Sequence, residues 1–270
     1  MGERFEKLKT RTLTIVIGIP IVLFIIHLGG LLFYLTITLL AILGTWELWY
    51  IFNNKNYHPS LIPGIAATLF FLFKKTLPGI FFINEKYLFT LVILFIFIEH
   101  FLLKSNKKYI IINISLTLFI AIYIGHFLSF LIDIRSLTNG KVFIIFTLFT
   151  TWMSDTAAYI VGVHFGKNHI FPKISPNKTL EGSIGGILGG AICGVAFYSL
   201  LPINPSLLFA LGLLAAICGQ TGDLFESMIK RNFDVKDSGK LLPGIGGILD
   251  CMDSILFSVP ILYFCLSYLI

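Results

Sequence analysis

Nine stretches of this chain are apolar for long enough to be read as bilayer spans: about 12–28, 31–52, 59–73, 87–103, 109–131, 142–163, 182–201, 206–229 and 254–270. A helix needs about 20 mostly apolar residues to cross the hydrocarbon of a membrane. The expected fold is therefore all-α: a polytopic integral membrane protein of about nine transmembrane helices. Composition agrees, with 56% hydrophobic residues and 13% charged, against about 25% charged in soluble domains. Mean hydropathy is +0.90. An ordinary soluble domain and a disordered chain are both excluded. Cys193, Cys218 and Cys265 lie in apolar stretches, and the four cysteines lack the paired spacings of zinc ligands or a disulfide framework. The net charge of +6 belongs to a membrane chain and gives no ground for a nucleic-acid partner. The first span follows a basic leader, but no small-residue cleavage site comes after it. A second span begins directly beyond Gly29-Gly30, so a tight turn is expected there rather than a cleaved signal peptide.

Loop lysines and arginines set the expected orientation. With a cytoplasmic N-terminus and nine spans, 15 of the 20 basic residues fall inside and five outside: Lys74, Lys75, Lys86, Arg135 and Lys141. The chain also divides by character. Residues 1–140 read as an N-terminal scaffold of lipid-facing helices, and 141–270 as a C-terminal catalytic region holding eight of the 14 acids.

Charges in or beside spans are costly, so each needs a partner, a wet cavity or a metal. The densest group is residues 223–253, with six acids and four bases. Asp223, Glu226, Ser227 and Lys230 would share one helix face by their i, i+3, i+4, i+7 spacing. Asp250 and Asp253 are i, i+3 neighbours. Two carboxylate pairs suit a hard divalent cation such as Mg²⁺, which takes one or two carboxylates and completes its shell with water and phosphate. The alternative is plain ion pairing with Lys230, Arg231, Lys236 and Lys240. Between the pairs, Leu242-Pro243-Gly244-Ile245-Gly246-Gly247 could present backbone amides to phosphate, or could simply be a turn before the last helix.

A second cluster, residues 164–186, holds a basic, turn-forming loop containing Ser175, Lys178, Thr179 and Glu181. Lys178 could hold a phosphate, and Thr179 could cap the next helix. Gly185-Gly186 and Gly189-Gly190 read as close helix packing; such small-residue faces would also permit a homodimer. Asp155 lies within the sixth span and is a functional candidate by position. Glu47, flanked by Trp46 and Trp49, reads as interfacial, and Glu99 as an end-of-helix partner for Lys104.

The segment Ser227-x-Ile229-Lys230-Arg231, Lys236-Asp237, Leu242-Pro243, Gly246-Gly247, Asp250 and Asp253 closely resembles the C-terminal motif of phosphatidate cytidylyltransferases. The stretches Ser175-Pro176-x-Lys178-Thr179-x-Glu181-Gly182 and Asp155-x-x-Ala158-Tyr159-x-x-Gly162 are similar to that family's upstream motifs. Two positions depart from the pattern: Ile245 stands where the family usually has His, and Cys251 where it has Arg. The resemblance implies Mg²⁺-dependent transfer of a cytidylyl group from CTP to phosphatidic acid at the bilayer surface. It implies catalytic roles for Asp223, Asp250, Lys230 and Arg231. Metal ligation falls to Asp223 and Asp250 with Asp253 and Glu226. Substrate contacts fall to Ser175, Lys178, Thr179, Glu181, Ser227, Lys236, Asp237, Gly246, Gly247 and Asp155. The rival is an ion- or proton-coupled transporter using the intramembrane acids, which predicts inverted repeats; none is apparent in the sequence.

Overall fold

The structure, a computed structural model, describes residues 2–55, 57–74, 84–102 and 109–269. The helices are α1 (Gly2–Leu28), α2 (Gly30–Asn53), α3 (Leu61–Phe73), α4 (Glu85–Leu102), α5 (Ile110–Arg135), α6 (Gly140–Phe165), α7 (Leu180–Ser199), α8 (Pro205–Asn232) and α9 (Leu249–Leu269). Each expected span coincides with one of them. Seven helices among the described residues are long and apolar enough to cross a membrane. The exceptions are α3 and α4. The 13 residues of α3 reach only about 20 Å at 1.5 Å per residue. The 18 residues of α4 include Glu85, Lys86 and Glu99. The expected Glu99–Lys104 pair lies partly outside the described residues, as do positions 103 and 270 at the ends of two expected spans.

The helical segments form because lipid offers no partner for a backbone amide, which leaves the internal helical ladder to satisfy it. The turn between α1 and α2 is as tight as expected, with Gly29 at φ +62° and Gly30 at φ +53°, backbone angles that favour glycine. Within α5 the ladder widens to π pitch over Ala121–His126. Gly125 lies there against the Thr68 backbone, where a side chain would collide.

The chain groups into two compact units that are not consecutive in sequence. One comprises 1–19, 30–129 and 237–250; the other comprises 20–29, 130–236 and 251–270. This differs from a single cut at residue 140, because the segment 237–250 returns to the first unit. In the first unit, Ala67, Ile96 and Ala121 form a buried contact with Phe71, Val92, Ile114 and Leu118 around it. The Thr45 and Thr68 hydroxyls meet inside it at 3.0 Å.

The second unit is built around α7. Its glycines admit backbones on both sides. A Cβ at Gly182 would stand 2.8 Å from the Ala158 carbonyl of α6, and one at Gly190 would stand 2.7 Å from Ala216 Cβ of α8. Gly194 and Gly212 face the opposing α8 and α7 backbones in the same way. The glycine pairs therefore serve helix packing, as expected. They are occupied within one chain, which removes the ground they offered for a homodimer.

One feature departs from an all-helical fold. Strands β1 (His169–Phe171) and β2 (Ser175–Thr179) pair antiparallel, His169 with Thr179 and Phe171 with Ser175. A two-stranded ribbon tolerates Pro176, because an edge strand can spare an amide.

Candidate active site

The ribbon is held by residues expected to touch substrate. Glu181, in the first turn of α7, accepts hydrogen bonds from Lys167 N (3.1 Å), Asn168 N (3.2 Å) and Asn168 Nδ2 (2.7 Å). Its carboxylate thus ties the ribbon's entry to α7. Thr179 is the N-cap, and its Oγ1 accepts the Gly182 amide at 3.1 Å, as the capping expectation held. Arg231 donates to the Ile174 carbonyl and to the Val235 carbonyl, both at 3.3 Å, joining the ribbon's turn to the end of α8. Ser175 lies within β2, half-buried. Glu181, Thr179 and Arg231 therefore have structural contacts of their own.

β2 and α8 bring together the charged group of the second unit. Lys178 Nζ lies 2.6 Å from Asp223 Oδ2, and Ser227 Oγ donates to Asp223 Oδ1 at 3.3 Å. One turn on, Lys230 Nζ lies 2.9 Å from Glu226 Oε1, and Glu226 is fully buried. The expected shared face of Asp223, Glu226, Ser227 and Lys230 is thus realised, because α8 continues to Asn232. Asp155 of α6 stands within electrostatic range of Asp223 and Lys178. Asp253 of α9 stands within range of Asp223, Glu226 and Asp155. Its Oδ1 accepts the Ser254 hydroxyl at 3.2 Å. Lys236 and Asp237 are exposed beyond α8.

Four carboxylates and two ammonium groups meet in this cluster. Carboxylates crowded in this way are the donor type that a hard divalent cation takes. Among the described residues, no three His, Cys, Asp or Glu side chains stand ready to hold a metal by themselves. The four-ligand set expected from sequence is therefore not a preformed cage. Glu226 is engaged by Lys230, and Asp250 by the loop described next. One or two carboxylates, completed by water and phosphate, remain a suitable seat for Mg²⁺.

In the first unit, the glycine-rich loop is closed on itself. Ile245 N and Gly246 N donate to the Leu242 carbonyl at 3.1 and 3.0 Å. Gly247 N donates to Asp250 Oδ2 at 2.7 Å, as does Ser238 N at 2.9 Å, and the Ser238 hydroxyl oxygen lies 3.0 Å from the same atom. Ile248 N and Leu249 N donate to Glu47 Oε1 and Oε2, both at 2.9 Å. Every amide from 245 to 249 has an acceptor within the chain, which corrects the expectation that this loop offers amides to phosphate. Its glycines serve close approach instead. Gly246 has φ +139° and lies against Asp250, while a Cβ at Gly247 would collide with Ser238 Oγ and Glu47. Ile245 is half-buried, and Cys251 is exposed on the first turn of α9.

Glu47 is the residue that sequence reading misjudged. It is not interfacial but fully buried. Its neighbours on the inward stripe of α2 are Gly44, Leu48 and Ile51. Because α2 is apolar on nearly every side, no periodicity marks which face turns inward.

Membrane-length helices, some carrying a partly buried cluster of acids and lysines, mark a polytopic integral membrane protein. Comparison with known proteins narrows that class. The cytidylyltransferase family model matches residues 9–269, and the chain belongs to this family. It is 35% identical over 258 residues to the phosphatidate cytidylyltransferase of Staphylococcus aureus (strain COL), covering 94% of this chain and 97% of that protein. It is 36% identical over 268 residues to the phosphatidate cytidylyltransferase of Bacillus subtilis (strain 168), covering 96% and 98%. These comparisons give the transporter reading no support.

Proposed function

We propose that this chain transfers the cytidylyl group of CTP to phosphatidic acid, giving CDP-diacylglycerol and pyrophosphate. The observation that carries the reading is nearly full-length similarity to two phosphatidate cytidylyltransferases, joined to an acid–lysine cluster that suits a nucleotide and a metal. The lipid phosphate oxygen is the nucleophile. It is anionic at neutral pH, so the reaction needs no general base. It attacks the α-phosphorus of CTP, a new P–O bond forms, and the bond to the departing pyrophosphate breaks.

Polyanions must meet, and charge must be stabilised on the leaving group; positioning and electrostatics supply most of such catalysis. Asp223 and Asp253 would hold Mg²⁺, which neutralises phosphate charge when bound. Lys178 would leave Asp223 and turn to a phosphate as the nucleotide arrives. Lys236, exposed, offers a second cation to the substrates. Lys230 keeps the buried Glu226 neutralised, and Arg231 holds the ribbon that carries Lys178. Asp250, three residues before Asp253 on α9, is required for the transfer as part of the motif. Asp155 lines the acid cluster. The reading places the site at the cytoplasmic face of a bacterial inner membrane, with nine spans and the N-terminus inside.

The test is incorporation of radiolabelled CTP into lipid by the purified protein. Label should enter only when phosphatidic acid and Mg²⁺ are both present, and chelation should abolish it. Absence of lipid product with both supplied would overturn the reading.

A further inference from the structure

The mechanism makes no use of the most completely buried carboxylate of the first unit. Glu47 has no exposed surface, yet it sits on an apolar helix, where an unpaired carboxylate is costly. Among the described residues, its hydrogen-bond partners come from the loop that leads into α9. Oε1 accepts Ile248 N at 2.9 Å. Oε2 accepts Leu249 N at 2.9 Å and Ser238 Oγ at 2.8 Å. Ile248 and Leu249 supply amides at the very start of α9, which have no acceptor within the helix itself. The backbone is also pressed against the carboxylate, since a Cβ at Gly239 would lie 2.6 Å from Oε1. The same Ser238 donates its amide to Asp250 Oδ2, and Gly247, the residue before Ile248, donates there too.

We propose that Glu47 is a positioning residue for Asp250: by accepting Ser238 Oγ and the Ile248 and Leu249 amides, it fixes the loop that aims the Asp250 carboxylate. The proposal rests on the reading that Asp250 serves cytidylyl transfer. A glutamine cannot replace Glu47 here. Both oxygens face donors, so the NH₂ of an amide would meet an N–H whichever way it turned. An aspartate keeps the charge but is one methylene shorter.

The experiment measures kcat and KM for Glu47→Gln, Glu47→Asp, Ser238→Ala and the double variant Glu47→Gln/Ser238→Ala in detergent, alongside Asp250→Asn. Thermal unfolding of each is followed in parallel. Glu47→Gln is expected to lower kcat at least tenfold while KM for phosphatidic acid stays within about twofold, and Glu47→Asp to recover part of the loss. The double variant is expected to be no slower than Glu47→Gln, because both changes act through one loop. A Glu47→Gln kcat within twofold of the parent overturns the proposal. So do additive losses, or losses that merely follow the folded fraction in every variant. Full activity in Asp250→Asn overturns the underlying reading of Asp250 instead, whatever Glu47 does.

Discussion

Lys178 and Asp223 form an ion pair of 2.6 Å that joins a two-stranded ribbon to a membrane-length helix. The two side chains are 25% and 31% exposed while the Lys178 nitrogen itself is buried, so the pair opens only if the lysine tip moves. In the proposed reaction it must, because the cation and the nucleotide phosphates compete for its two halves. Replacing Lys178 by Met should lower kcat about 10²-fold or more, the scale seen when one preorganised electrostatic group is removed. Freed from its lysine, Asp223 should take Mg²⁺ more readily. The Mg²⁺ concentration for half-maximal residual activity is therefore expected to fall, and a metal titration of activity checks it.

Glu226 and Lys230 form the second pair, far less exposed than the first. Losing one member strands a buried charge, at a typical cost of about 3–5 kcal/mol. Lys230→Met and Glu226→Gln should each lower the unfolding temperature in detergent markedly. The double variant should recover much of the stability, because no lone charge remains. Thermal unfolding of the three variants checks this. Equal destabilisation in single and double variants would exclude the pair as the cause.

Glu181 closes the ribbon by accepting three hydrogen bonds from Lys167 and Asn168. Glu181→Ala should loosen residues 167–175 without unfolding the helices. Limited trypsin digestion of the folded protein should then cut faster at Lys167 and Lys173. The expected kinetic effect is a raised KM for CTP, since Lys178 rides on the same ribbon.

The seam of α7 predicts a contrast between glycines. At Gly190 a Cβ would meet Ala216 Cβ at 2.7 Å and the Thr150 carbonyl at 3.0 Å, whereas Gly18 has nothing within 4 Å. Gly190→Val should destabilise by about 1–3 kcal/mol or more through overpacking. Gly18→Ala should be neutral or raise stability by up to about 1 kcal/mol, because alanine is the better helix former. Unfolding midpoints of the two variants test the difference.

Much of this was legible in the sequence, and the gaps have physical causes. Helix positions followed from apolar run length, the Gly29-Gly30 turn from its composition, and the face shared by Asp223 to Lys230 from the helical repeat. The ribbon was not visible, because five residues including Pro176 carry no strand alternation. The role of Glu47 was hidden for two reasons. Its helix is apolar all round, so no face can be assigned. Its partners are about 200 residues away in the chain, a distance at which no local spacing rule operates. The loop amides were misjudged for a different reason: those of Ile245 and Gly246 turn back onto the Leu242 carbonyl and that of Gly247 onto Asp250, closures that composition alone does not display.

That separation also has a consequence during synthesis. Glu47 enters the membrane with α2, and its partner Leu249 is 202 residues later. At about 5–20 residues per second, ribosomes need roughly 10–40 s to deliver it. Throughout that interval the nascent second span holds a carboxylate whose native partners have not yet been made. The carboxylate of α2 must therefore be kept hydrated or sheltered by other groups until the last helix begins.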